Sequence, residues 1–390
     1  MKKNNKKDKA ELLEGSRAIA LTVKNIEVDV VSAYPITPQT HIVEDLAKFK
    51  ADGQANYEYI LAESEFAAAS IILGSSATGV RSYSATSSQG LLLMAEVVYN
   101  ISGLRLPLVM TIANRAIGAP ISIWNDHSDA MALKDSGWIM LFSENHQEAI
   151  NQHILAYKIA EKLKLPVMVN VDGFILTHSY DSALIPDKKT IAKFLPKYKP
   201  ELGTYLNPKQ PITIGAFFTP QDFWLEKKQM FEDLNKSKTT INKEYKAWQK
   251  IFKEKKDKNI SIDNGLIEYY GGTKAKNLII AMGSVCGTIK ESLKKSKDTA
   301  LLKIKCFRPF PWEDIIKYTK NNKNIIVLEK SISLGTMGGP LFLEIKAALK
   351  NEKKSIYNYI AGLGGKDISE EMIIDIISDK NKKEKKINFI

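Results

Sequence analysis

The chain has 390 residues, of which 44% are hydrophobic and 26% charged, a soluble globular balance with room for two or three domains. Two cysteines, Cys286 and Cys306, exclude a disulfide framework and an iron–sulfur cluster ligated by this chain alone, and no apolar run approaches the roughly 18 residues of a membrane helix. The net charge of +12 invites a nucleic-acid reading, but +4 of it sits in residues 1–10 and +3 in residues 379–386. Much of the remainder lies in a Lys-rich stretch, 227–258, so the pattern reads as solvated tails and an exposed helix. Such charge would still steer an acidic partner. The basic start is followed only by a short apolar stretch, 18–23, between Glu14 and Lys24, which argues against a secretory signal and for a cytoplasmic protein.

In chain order, the first 180 residues alternate strands and helices. Val28–Tyr34, Tyr57–Ala62, Arg81–Thr86, Pro107–Ala113, Trp138–Phe142 and Pro166–Val171 are largely apolar as a set and rich in β-branched and aromatic residues, as in strands buried on both faces of a parallel sheet. Gln39–Phe49, Phe66–Ser75, Gly90–Ile101 and Gln147–Leu163 carry helical spacing. Right-handed crossovers and an open α/β sheet follow. Residues 181–262, with six prolines and then the Lys-rich stretch, read as an irregular excursion that closes a first domain, 1–262, with a long exposed helix. Alternation resumes with strands at Asn277–Gly283, Leu301–Cys306, Asn324–Glu329 and Ile356–Ile360, a second, smaller α/β domain over 263–390. Both cysteines fall at strand ends and read as small buried hydrophobes.

Ligands of open α/β sheets bind beyond the carboxyl ends of the strands. The first four exits read Tyr34-Pro35-Ile36-Thr37-Pro38, Glu63-Ser64-Glu65, Thr86-Ser87-Ser88-Gln89-Gly90 and Asn114-Arg115-Ala116. Each has a bland explanation. Thr37, Ser64 and Ser87 or Ser88 could cap helices, and Arg115 could pair with Asp126 or Asp129. Their convergence on one rim favours a site.

These segments, YPITP at 34–38, ESEFAAAS at 63–70, SSQG at 87–90 and ANRAIGAPISIWNDHSD at 113–129, resemble the α-subunit of pyruvate:ferredoxin oxidoreductase. CFRPFPWEDI at 306–315, EKSISLGTMGGPLF at 329–342 and AGLGGKDI at 361–368 are similar to the same family. The resemblance spans nearly the whole chain. It implies an open parallel-sheet domain binding the pyrimidine of thiamine diphosphate, followed by a transketolase C-terminal-like α/β domain. Glu65 would accept a hydrogen bond from the aminopyrimidine N1′ and so favour the tautomer that deprotonates the thiazolium carbon. Arg115 would hold the substrate carboxylate with its planar fork, and Thr37 would hydrogen-bond the substrate from the facing loop. Pro35, Ile36, Ser88 and Gln89 would line the cofactor. Glu63 is the rival of Glu65 but does not match the family's motif. His127 suggests acid–base catalysis, although a capped loop around Asp126, Ser128 and Asp129 is the plainer account. The glycines at 335, 338, 339, 362, 364 and 365 read as tight turns that could also meet coenzyme A or a neighbouring subunit.

Absences sharpen the expectation. No Gly-Asp-Gly occurs, so the resemblance places Mg²⁺ and the diphosphate on a β-subunit and [4Fe–4S] clusters on partners that include a ferredoxin-like δ-subunit and a γ-subunit. No metal site is expected here. The implied reaction converts pyruvate and coenzyme A to acetyl-CoA and CO₂, with electrons passing to ferredoxin or flavodoxin. 2-Oxoisovalerate or 2-oxoglutarate is the alternative substrate, and a non-catalytic structural subunit is the alternative of another class.

Overall fold

The computed structural model describes residues 10–253, 257–379, 384 and 386–390. Two seven-stranded sheets, each flanked by helices, dominate the described residues, with a two-stranded sheet beside them. The first runs in the order Cys306–Arg308, Ile139–Phe142, Val167–Asp172, Val109–Asn114, Ser82–Thr86, Val30–Ala33, Glu58–Leu61. Its last six strands are parallel, and the first is antiparallel to its neighbour. Every residue of the three central strands, Ser82–Thr86, Val109–Asn114 and Val167–Asp172, is buried. Burial on both faces is why Val109–Asn114 and Val167–Asp172 are mostly apolar, whereas Ser82–Thr86 alternates polar and apolar residues although every one of them is buried.

The four expected loops leave Glu58–Leu61, Val30–Ala33, Ser82–Thr86 and Val109–Asn114, which are consecutive neighbours in the sheet. They therefore lie side by side on one rim. The helices that follow are Thr40–Ala51, Glu65–Ala77, Ser88–Leu93 with Ala95–Gly103, and His146–Leu163 after Ile139–Phe142. The expected single helix over 90–101 is thus divided at Met94.

The second sheet runs Ile387–Phe389, Ser355–Ile360, Asn324–Glu329, Asn277–Ala281, Thr299–Ile304, Ile267–Tyr270, Ile260–Asp263. Its first five strands are parallel and the last two are antiparallel. Several elements depart from expectation. Ile260–Asp263 and Ile267–Tyr270 extend this sheet, so it begins before residue 263. Four-residue strands joined by a tight turn through Gly265 carry little periodicity. The stretch read as one strand over 301–306 divides at Lys305. Thr299–Ile304 stays in the second sheet, while Cys306–Arg308 crosses to pair with Ile139–Phe142 of the first. Ile387–Phe389, past the charged tail read at 379–386, forms a paired strand that the sequence reading did not include. The charged tail residues 1–9, 380–383 and 385 lie outside the described residues.

The excursion is more ordered than its prolines suggest. Tyr180–Ala183 pairs with Glu11–Glu14 ahead of the helix Gly15–Ile26. The 32-residue helix Pro220–Ile251 starts on a Thr219 cap with Pro220 in its first turn. Most of its surface is exposed, but Ile241 and Trp248 are buried in the core of the first sheet. Trp248 stacks on Phe252 at 5.3 Å and donates Nε1–H to Asn151 Oδ1 at 3.0 Å. Each such buried side chain contributes about 1.5–3 kcal/mol, enough to dock an otherwise polar helix.

Candidate active site

Ser64 caps the helix Glu65–Ala77, its hydroxyl accepting from Ala67 N at 3.1 Å. The cap turns the next side chain inward: Glu65 is 7% exposed, whereas Glu63 is exposed. Glu65 has no hydrogen-bond or ion-pair partner among the described residues. Its oxygens are not among the fully buried polar atoms, so the carboxylate opens onto the niche and is available to a donor that enters it. Gly90 faces it, and a Cβ there would stand 2.7 Å from both Glu65 Oε1 and Thr86 Oγ1. The hydroxyls of Thr86 and Ser87, next along the rim, are also buried without partners. Glu65, Gly90, Thr86 and Ser87 thus form a polar niche whose donors and acceptors are not consumed by the fold.

Ser88 differs. Its φ is +47°, and its hydroxyl lies 2.6 Å from the Ala116 carbonyl and in contact with Gln89 Oε1. It is spent on joining two loops, so the free hydroxyl of this pair belongs to Ser87. Gln89 Nε2 fills the space beside Gly118. Pro35 is exposed and Ile36 half-buried at the outer edge of the rim. Thr37 caps no helix, because the turn Ile36–Gln39 intervenes and the helix starts at Thr40. Its side chain is exposed, and its carbonyl accepts from Arg115 Nη1 at 2.9 Å.

Arg115 Nε donates to the Ser122 carbonyl at 3.0 Å. With Nη1 held by Thr37, the guanidinium is oriented while Nη2 has no partner among the described residues. Arg115 forms no side-chain ion pair with Asp126 or Asp129; the link to Asp129 runs through the backbone. Asp129 Oδ2 accepts from Arg115 N and Ser88 N, each at 3.0 Å, and its Oδ1 accepts from Asn114 Nδ2 and Ala130 N. Burial pushes Asp129 up to about 6 against these four donors. It ties the SSQG loop to the arginine loop, a role the sequence does not reveal because the contact is made to amides.

His127 is fully buried, with Nε2 2.7 Å from Oδ1 of Asp172, the last residue of Val167–Asp172. Lys330 Nζ donates to Asp172 Oδ2 at 2.8 Å and to Asn125 Oδ1 at 3.1 Å, and Ser284 donates from both N and Oγ to the same carboxylate. Burial opposes the charge on Asp172, but Lys330 and His127 hold it well below the usual carboxylate range. His127 therefore belongs to a joint between the two sheets. The glycine loops make a second joint. Gly364 N donates to Asp126 Oδ2 at 3.2 Å, and a Cβ on Gly365 would strike Trp124. Cys286 and Cys306 are buried free thiols, as expected.

The rim geometry now has context in known proteins. The pyruvate flavodoxin/ferredoxin oxidoreductase thiamine-diphosphate-binding family matches residues 22–246, and the pyruvate:ferredoxin oxidoreductase core domain II family matches residues 275–373. This chain belongs to the pyruvate:ferredoxin oxidoreductase family. It is 46% identical to pyruvate synthase subunit PorA of Methanocaldococcus jannaschii, over 96% of this chain and 95% of that one. It is 37% identical to ketoisovalerate oxidoreductase subunit VorA of Pyrococcus furiosus, over 95% and 94%. Among solved structures it resembles a 2-oxoglutarate:ferredoxin oxidoreductase from Magnetococcus marinus with a TM-score of 0.70. That likeness, at 21% identity, covers 95% of this chain and 65% of the other and concerns the fold. Within this oxidoreductase family the first sheet is the thiamine-diphosphate-binding domain. The niche of Glu65, Gly90 and the Ser87 hydroxyl fits such a group: a buried acceptor, a missing Cβ and an unengaged donor. Among the described residues no helix is long and apolar enough to cross a membrane.

Proposed function

We propose that this chain is the pyruvate:ferredoxin oxidoreductase subunit that holds the pyrimidine half of a shared thiamine diphosphate site. The observation that carries the proposal is the inward-turned Glu65, 7% exposed and with no protein partner for its carboxylate among the described residues, on the rim that also bears Arg115. When bound, thiamine diphosphate supplies the nucleophilic carbon and the electron sink for decarboxylation. Glu65 would hold the aminopyrimidine through one hydrogen bond, with Gly90 leaving room and Ser87 within the same niche. Arg115 would bind the substrate carboxylate through Nη2, its orientation fixed in advance by Thr37 and Ser122. Thr37 would face the same substrate from the opposite loop.

The reaction we assign is oxidative decarboxylation of pyruvate with coenzyme A to acetyl-CoA and CO₂, two electrons passing to ferredoxin or flavodoxin. A β-subunit would bring Mg²⁺ and the diphosphate site, and γ- and ferredoxin-like δ-subunits would complete the electron path through [4Fe–4S] clusters. The two cysteines of this chain, both buried and unclustered, support that division. Relatedness to ketoisovalerate oxidoreductase subunits favours 2-oxoisovalerate as the second reading.

The test is kcat/KM of the assembled complex for pyruvate, 2-oxoisovalerate and 2-oxoglutarate, by coenzyme A-dependent dye reduction. Pyruvate is expected to lead. Preference for 2-oxoisovalerate would overturn the substrate but keep the machinery, and inactivity with all three would overturn the assignment.

A further inference from the structure

Two of the chain's five histidines, His41 and His178, meet Glu14 of the two-stranded sheet Glu11–Glu14 with Tyr180–Ala183. Glu14 ends the strand Glu11–Glu14, His41 lies in the first turn of Thr40–Ala51, and His178 lies in the turn leading to Tyr180–Ala183. One donor atom from each, an imidazole nitrogen or a carboxylate oxygen, lies within 4.8 Å of the other two. His41 Nδ1 is 2.7 Å from Glu14 Oε1, and the two imidazole rings are 4.6 Å apart.

His178 is oriented from behind. Its Nδ1 lies 2.7 Å from Thr177 Oγ1, which accepts from Phe174 N at 2.8 Å. Nε2 has no partner among the described residues. A ligating histidine is usually fixed by a hydrogen bond at its other nitrogen, which is the arrangement here. Burial, and His41 beside it, hold His178 below its usual range although Glu14 opposes them. The His41 side chain is 47% exposed and that of Glu14 19%, so the cluster is open to exchange with solvent.

Two imidazoles and one carboxylate suit a borderline first-row divalent ion and leave a coordination position open. Tetrahedral donors held at roughly 2.0–2.2 Å from such an ion stand about 3.3–3.6 Å apart, so the His41–Glu14 pair at 2.7 Å opens by somewhat under about 1 Å and the widest separation closes by at most about 1.5 Å. We propose that Glu14, His41 and His178 form a binding site for a divalent transition cation of the zinc type. Nothing in the mechanism above uses these residues, and the proposal stands apart from it.

The position gives the site a consequence. Trp124, Phe174, His178 and His41 form a continuous run of ring contacts at 4.6, 4.7 and 4.6 Å. One end lies in the loop whose Ser122 carbonyl orients Arg115, and the other opens the helix that follows the Thr37 loop. A cation on the two histidines would stiffen both loops together.

The test uses the full chain, stripped with a chelator and titrated calorimetrically with ZnSO₄, alongside thermal unfolding with and without zinc. One zinc per chain and a raised Tm are expected. H41A and H178A should each weaken binding at least about tenfold and remove the Tm shift, since losing even an outer-shell partner costs roughly 10–100-fold. Circular dichroism checks that the variants fold, and the exposure of His41 makes H41A the safer of the two. Absence of stoichiometric binding to the wild type at micromolar zinc would overturn the proposal. Unchanged affinity in folded H41A would do the same.

Discussion

Asp172 and Lys330 meet across the boundary of the two sheets, carboxylate to ammonium at 2.8 Å, both essentially out of solvent. Asp172 ends a central strand of the first sheet, and Lys330 immediately follows the strand Asn324–Glu329 of the second. Removing one partner leaves the other charged and buried, which costs about 3–5 kcal/mol. Lys330→Met should therefore lower unfolding stability by that amount in urea, and the double variant with Asp172→Asn should recover part of it.

Glu65→Gln, in the assembled complex, should lower kcat by about 10²–10⁴-fold, the range for loss of a positioned acid–base group. Assembly should survive, because the Glu65 side chain has no partner among the described residues. Normal turnover in a correctly assembled Glu65→Gln complex would remove Glu65 from the mechanism.

Gly90→Ala probes the same niche from the other side. Its methyl group would stand 2.7 Å from Glu65 Oε1 and Thr86 Oγ1 and force the carboxylate to move. Overpacking of this kind costs about 1–3 kcal/mol, so the protein should fold with a reduced Tm. Thiamine diphosphate affinity of the complex, followed by fluorescence quenching, should fall with activity.

Arg115→Lys keeps the charge and loses the fork. Lysine cannot satisfy the Thr37 and Ser122 carbonyls and still present a separate donor. A charged hydrogen bond is worth about 1.5–3 kcal/mol, so kcat/KM for the 2-oxoacid should drop about 10–100-fold. The value for coenzyme A should hold.

Glu329 gives the second sheet a pH response. Its carboxylate accepts from Leu341 N, Phe342 N and Asn358 Nδ2, yet burial raises it to about 7. A raised folded-state value means the native protein holds the proton more tightly than the unfolded chain. The contribution is complete below the unfolded value near 4.5 and is lost as pH rises through 7, by about 3 kcal/mol. Urea unfolding at pH 5 and pH 8 should show this fall in the wild type and a smaller one in Glu329→Gln.

Most strands buried on two faces were legible because burial writes apolar runs, while Ser82–Thr86, with Ser82, Ser84 and Thr86 buried, shows that a polar strand can also lie inside. The rim was legible because its loops carry Thr37, Glu65, Ser87 and Arg115 where structural turns favour Gly, Asn or Asp. Contacts made through the backbone were not. Asp129 was a plausible ion-pair partner in the sequence, and only the fold shows it receiving the Arg115 and Ser88 amides. The choice between Ser87 and Ser88 turned on which hydroxyl the Ala116 carbonyl captures. Asp172 and Lys330 lie 158 positions apart, and nothing local announces their meeting.

The strand Cys306–Arg308 leaves the second sheet after Lys305 and is woven into the first. A connection of that kind is a rivet rather than a hinge. The two halves of the subunit cannot swing apart like the shells of a clam without unzipping a β-ladder. Admission of substrate and release of product must then fall to the rim loops, and variants that loosen those loops should change turnover while the frame stays as it is.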